Sequence, residues 1–300
     1  MRKISPEVAK HMDNLSNEAG VISALTIDQR GSLKRMLAEA ANKPADETTI
    51  VDFKETVSSE LTPYASAILT DPEYVLPATK GRDKKCGLLL SCEKTGYDTT
   101  EPGRMCDLIA DQSALRIKND SANAVKFLLY YDPDESDEIN DKKKAFVERV
   151  GAETKANGLP FFRELLTYDG KINDAKSEEY AKVKPEKVFK TMQEFSKSQY
   201  DITVLKVEMP FNIKFVEGYN GDNNVVYTQE EAKKLLKKQS DLTNLPYIFL
   251  SAGVTSEEFI AEIEMTEKAD ADFKGKKNIE NLNDALKGAK SWKDKLEIKE

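Results

Sequence analysis

AVKFLLYYDPDESDEINDKKKAFVERVGAETKANGLPFFRELL, residues 124–166, holds one complete structural unit of this chain. Its first run, AVKFLLYYD (124–132), is almost continuously apolar, and so is its last, LPFFRELL (159–166). That is the pattern of strands covered on both faces. Between them, SDEINDKKKAFVERVGAETKANG (136–158) carries Ile139, Ala145, Phe146 and Val150 on one side and stops at Gly158, as an amphipathic helix does. Strand, helix, strand predicts two parallel neighbours, because a parallel pair needs a crossover.

The same unit recurs on both sides. Further strands are read at VISALTIDQ (21–29), YASAILTD (64–71), CGLLLSCE (86–93), ITVLKVEM (202–209) and LPYIFLSAG (245–253). Helices are read at PEKVFKTMQEFSKS (185–198), with Pro185 at its first position, at TQEEAKKLLKKQSD (228–241), opened by a Thr228–Glu231 capping box, and at 255–269. No GxGxxG follows the first strand and no GxxxxGK[ST] occurs, which weakens a doubly wound nucleotide-binding sheet. The expected fold is therefore α/β, a (β/α)8 TIM barrel forming a single domain over 1–300. The count stops at seven strands. After the helix at 255–269 the chain reads ADADFKGKKNIENLNDALKGAKSWKDKLEIKE, with no eighth apolar run, so the eighth βα unit is expected to be missing.

Composition narrows the function. The 300 residues carry Lys+Arg 45 against Asp+Glu 53, a net charge of −8, which argues against a nucleic-acid binder. No run approaches the ~18 apolar residues of a membrane span. The start, MRKISPEVAKHMDNLS, lacks an apolar signal segment, so a cytoplasmic protein is expected. Cys86, Cys92 and Cys106 show no CxxC spacing and read as reduced thiols. His11 is the one histidine, too few for a zinc site or a Ser-His-Asp relay, and it reads as a surface residue. No metal and no cofactor are expected.

The chemistry lies in charges that interrupt the apolar runs. By alternation, Ile22, Ala24, Thr26 and Asp28 share one face; Phe162 shares a face with Glu164, with Arg163 on the other; Ile202, Val204, Lys206 and Glu208 share another; Lys126 sits with Ala124, Leu128 and Tyr130. Turned inward near the strand C-termini, Asp28, Lys126, Glu164 and Lys206 would meet where barrels build their active sites. A buried ion-pair network without chemistry is one reading. The other is a Schiff-base site. A lysine between Leu205 and Val207, near a second cation, would have its pKa lowered, and its neutral amine could attack a carbonyl. Glu164 would exchange protons during dehydration, and Asp28 would take the proton from the hydroxyl whose carbon is released.

Nearly the whole chain then resembles the class I tagatose 1,6-bisphosphate aldolases of Gram-positive bacteria. The resemblance is carried by SALTIDQRGSLKRM, LTDPEYVLPATK, LLLSCEKTGYDTT, AVKFLLYYDPDESDEIN, LPFFRELLTYD, YAKVKPEKV, VLKVEMPFN, FVEGY and TNLPYIFLSAGV, in order over residues 10–273. It implies cleavage of D-tagatose 1,6-bisphosphate, a ketohexose bisphosphate, to dihydroxyacetone phosphate and glyceraldehyde 3-phosphate. It makes Lys206 the Schiff-base residue, Glu164 the acid/base, and Asp28 and Lys126 the groups lining the reacting carbons. The turn Ser251, Ala252, Gly253 would offer backbone N–H groups to one phosphate. Gln29 and Arg30, next to Asp28, are candidate substrate contacts, although a loop arginine reads equally as a solvated charge.

The chain departs from that family where the eighth strand and its Gly-Arg turn should fall, between ADADF and NIENLNDAL. Either the numbering passes over an omitted stretch of roughly 30 residues, which would leave widely separated consecutive Cα atoms within 270–280, or the unit is deleted in a degenerate paralogue. Two other functions stay open: a sugar-phosphate sensor that kept the fold, and a class I aldolase for another ketose phosphate, such as a sulfosugar. A homo-oligomer is the base expectation, with neither nucleic acid nor membrane as partner.

Overall fold

The computed structural model describes residues 1–74, 79–94, 96–98, 100–269, 275–277 and 289–299. Two sheets organise them. The smaller pairs β1 (Arg2–Ile4) with β10 (Leu296–Ile298) in parallel. The larger is all parallel, in the order β8-β7-β6-β5-β4-β3-β2-β9. Its strands are β2 (Ile22–Thr26), β3 (Ala67–Thr70), β4 (Gly87–Ser91), β5 (Ala124–Tyr131), β6 (Phe161–Thr167), β7 (Val204–Val207), β8 (Tyr247–Phe249) and β9 (Gly275–Lys277). β8 and β9 meet at the seam, so the barrel is nearly closed. All seven apolar runs appear as strands, shorter than read because their polar ends belong to loops.

The eighth strand, absent from the sequence reading, is present. β9 runs parallel to β2, with Ile22 opposite Gly275 and Ala24 opposite Lys277. A strand of three residues is held through its backbone and leaves no hydrophobic pattern to read. The Cα spacing expected to widen within 270–280 falls, apart from 275–277, outside the described residues.

Alternation divides the core as expected for a barrel. Ala24, Ala67, Leu69, Leu89, Ala124, Phe162, Val204 and Ile248 point inward and form one apolar cluster. Its lower end is sealed by Val8, Met12 and Leu15, from α1 (Pro6–Asn14) and the residue that caps it, together with Trp292 and Leu296 from the C-terminal segment. The outer strand faces, including Phe127, Phe161, Leu165, Leu205 and Phe249, pack in a second cluster under the helices. These helices are α2 (Gly31–Ala41), α3 (Glu47–Leu61), α4 (Ala114–Asn119), α5 (Asp137–Ala156), α6 (Glu178–Phe195), α7 (Gln229–Asp241) and α8 (Ser256–Lys268). With the bottom sealed, the open upper end, where the strand C-termini emerge, is where a ligand can enter.

The helix stop and start signals mostly hold. Ser136 caps α5, and α7 opens with the Thr228–Glu231 capping box. The exception is α6, which begins at Glu178 with Ser177 as its cap and carries Pro185 inside. A proline there leaves the carbonyl four residues back without its helical N–H. That carbonyl, of Ala181, accepts instead from the Tyr227 hydroxyl at 3.0 Å, so a residue distant in sequence lets the helix run through its breaker. The three cysteines are free and buried. His11 is half-buried rather than on the surface, with Nδ1 3.3 Å from the Asn123 amide.

Candidate active site

The inward charges of the central strands meet at the upper mouth. Register brings them together: Leu128 lies opposite Glu164, and Glu164 opposite Lys206. Lys206 Nζ lies 2.7 Å from Glu164 Oε1. The second oxygen of the same carboxyl lies 2.7 Å from Lys126 Nζ. Lys126 also donates to Asp28 Oδ2 at 2.7 Å and to Glu93 Oε1 at 2.5 Å. Both lysines are only 2% exposed. The four residues singled out on sequence grounds therefore form one continuous network from Asp28 through Lys126 and Glu164 to Lys206.

Low exposure makes these contacts count. Burial alone would lower the Lys126 ammonium, but Asp28, Glu164 and Glu93 together outweigh it and hold the group well above the ordinary lysine value. Lys126 is thus a fixed positive charge. The Glu93 carboxyl is pushed above its ordinary value by burial, against the opposing pull of Lys126. A cavity of about 190 Å³ opens over this network, lined among others by Asp28, Gln29, Arg30, Glu93, Lys126 and Glu164. Such a set can polarise a carbonyl compound, move protons between Glu164 and an amine, and hold a hydroxyl near Asp28.

The loop residues fare differently. Gln29 is exposed and lines the cavity mouth. Arg30 is buried, and it is not a free loop charge: Nη2 donates to the Glu93 carbonyl at 2.7 Å and Nη1 lies 3.2 Å from Glu73 Oε2. It ties the loop after β2 to the end of β4 while also lining the cavity. Ser251, Ala252 and Gly253 make a tight turn after β8, with Val254 N–H donating to Ser251 O at 3.0 Å and both Ala252 and Gly253 at positive φ. Ala252 and Gly253 line a second cavity of about 390 Å³, next to Thr167, Tyr180, Lys184 and Glu208, rather than the one over Lys126.

Glu208 departs from the face assigned to it by alternation. β7 ends at Val207, and beyond it the chain turns, so the Glu208 carboxyl accepts from Thr167 N–H and Oγ1–H, both at 2.7 Å, and lies 3.4 Å from Lys184. It pins the ends of β6 and β7 together. Glu93 is the member of this network that sequence reasoning passed over. It closes the apolar run CGLLLSCE just as Asp28 closes VISALTID, and that shared position at a strand's C-terminal end was its signal. The buried Lys54–Asp71 ion pair beneath the neighbouring loop was also missed, although Asp71 ends its apolar run in the same way.

The chain is similar to known aldolases. Residues 22–289 match the DeoC/LacD family aldolase model. A protein of Enterococcus faecalis named tagatose 1,6-diphosphate aldolase 2 is 49% identical over 321 residues, covering 96% of this chain and 96% of its own. One of Listeria monocytogenes, named tagatose 1,6-diphosphate aldolase, is 51% identical over 287 residues, covering 96% and 82%. Among solved structures, a Schiff base-forming fructose-1,6-bisphosphate aldolase shares the fold with TM-score 0.58 at 16% identity, covering 94% of this chain and 96% of its own. From the family match and these two relatives, the chain belongs to the DeoC/LacD family of aldolases.

Proposed function

We propose that this protein is a class I, metal-independent aldolase that cleaves D-tagatose 1,6-bisphosphate to dihydroxyacetone phosphate and D-glyceraldehyde 3-phosphate through a Schiff base on Lys206. The observation that carries the reading is the 2.7 Å contact between the buried Lys206 Nζ and Glu164. The names of the relatives supply the substrate.

Glu164 accepts a proton from Lys206, and the freed amine attacks the C2 carbonyl of the open-chain sugar to give a carbinolamine. Glu164 returns the proton to the carbinolamine hydroxyl, which leaves as water, and an iminium forms. Asp28 takes the proton from the C4 hydroxyl; the C3–C4 bond breaks, its electron pair flowing into the iminium to give an enamine, and the C4 fragment departs as glyceraldehyde 3-phosphate. Protonation at C3 and hydrolysis of the iminium release dihydroxyacetone phosphate and restore Lys206. Lys126 stays charged throughout, so it steadies both carboxyls without competing for their protons.

The test is borohydride trapping with dihydroxyacetone phosphate, followed by peptide mass analysis. The expected result is a reduced adduct on Lys206 and none in Lys206→Met, which also loses cleavage. An adduct on another lysine, or cleavage retained in the methionine variant, overturns the mechanism. Trapping without cleavage of any ketose bisphosphate would favour the sensor instead.

A further inference from the structure

We propose that Glu93 is a further substrate-contacting residue of this site, its second carboxyl oxygen taking a hydroxyl group from the glyceraldehyde half of the ketose bisphosphate. The inference rests on the Schiff-base reading above. Glu93 is 3% exposed, and its Oε1 accepts from Lys126 at 2.5 Å. Its Oε2 is buried and has no hydrogen-bond partner among the described residues, yet the residue lines the cavity over the lysine network. A buried carboxyl oxygen left unpaired is costly, and a bound hydroxyl removes the cost.

Position selects which half of the substrate it meets. Lys206, Glu164, Lys126 and Glu93 belong to β7, β6, β5 and the end of β4, four successive neighbours in the barrel. With the carbonyl carbon at Lys206, Glu93 lies three strands away, on the side where Lys126 meets Asp28. Its backbone is fixed from two directions, by Arg30 on its carbonyl at 2.7 Å and by a bridge to Leu108. The oxygen is thus pre-organised rather than recruited by loop movement.

Charge balance indicates how it binds. Two lysines face three carboxyls in this network, and Lys126 already meets Asp28 and Glu164. The set is neutral when both lysines are charged and Glu93 holds its proton, in line with the upward push of burial on that group. Oε1 then accepts from Lys126, and the Oε2 hydroxyl donates to the substrate oxygen. A third carboxyl present only to balance Lys126 would have no reason to leave its second oxygen without a partner.

Two variants separate these roles. In Glu93→Ala, kcat/KM for the bisphosphate is expected to fall at least about 30-fold, while borohydride trapping with dihydroxyacetone phosphate, which lacks the glyceraldehyde half, stays within about threefold of the parent. Glu93→Gln keeps one acceptor and one donor and is expected to stay within about threefold in both assays. The proposal is overturned if Glu93→Ala retains cleavage, if its trapping falls in step with cleavage, or if Glu93→Gln is as damaged as Glu93→Ala. A parent enzyme that gives no adduct with dihydroxyacetone phosphate instead removes the Schiff-base reading itself.

Discussion

Replacing Lys126 by methionine keeps the length of the side chain and deletes one charge. Three carboxyls then share a buried site with a single ammonium, on Lys206, which lies against Glu164. With Glu93 already holding its proton, Asp28 also has to become neutral when the chain folds, because it cannot keep a bare charge there. With an unfolded aspartate pKa of about 3.9, holding it protonated at pH 7 costs about 1.4 kcal/mol per unit over about 3.1 units, or about 4 kcal/mol. At pH 5 the same step costs about 1.5 kcal/mol. The sign is that of an acid whose folded value is raised, whose proton is increasingly hard to supply as pH climbs above the unfolded value. Urea unfolding of parent and variant at both pH values measures the difference directly. The expected loss is about 4 kcal/mol at pH 7, shrinking to about 1.5 kcal/mol at pH 5. A loss below about 1.5 kcal/mol at pH 7, or an equal loss at both, would mean that the carboxyls find water or other partners, and the account of a sealed network fails.

Further outcomes follow from other buried groups. Glu262 on α8 is 3% exposed, and burial pushes it up to about 8. Its folded value lies above the unfolded one, so parent stability declines by about 1.4 kcal/mol per pH unit between about 4.5 and 8. Glu262→Gln should gain on the parent across that window; a difference that does not vary with pH would count against it. Trp292 is 1% exposed under the barrel, with its indole N–H donating to Ser16 at 3.3 Å. Trp292→Ala should cost about 3–5 kcal/mol in urea titrations, with Lys206 still trapped by borohydride where the variant is folded. An unchanged urea midpoint would show that the seal does not depend on it.

The barrel was readable because its strands are apolar on both faces. Residues such as Phe161 and Phe162, or Leu205 and Val204, have no solvent side to reveal, and continuous runs are what such strands leave behind. The lysines and Glu164 were readable for the same reason, as charges in runs with no room for them. What escaped depended on partners far along the chain. Pro185 reads as a helix start unless Tyr227 is known to take the orphaned carbonyl. Glu208 follows the inward alternation of Lys206 until the strand ends and Thr167 claims it. Glu93 sits where an apolar run becomes a loop, and charges at that position are common. β9 is bound through its backbone, which sequence patterning does not register.

The pairing of β1 with β10 has a consequence for how the chain matures. Residues 2–4 are made before every strand of the barrel, and their own partners, 296–298, emerge from the ribosome almost three hundred residues later. Throughout synthesis the floor of the barrel stays unlatched, and the apolar side chains of α1 wait for Trp292 and Leu296. Capping is therefore a late event, and a nascent chain arrested shortly before residue 292 should remain open to protease at its amino-terminal end even after the central strands have assembled.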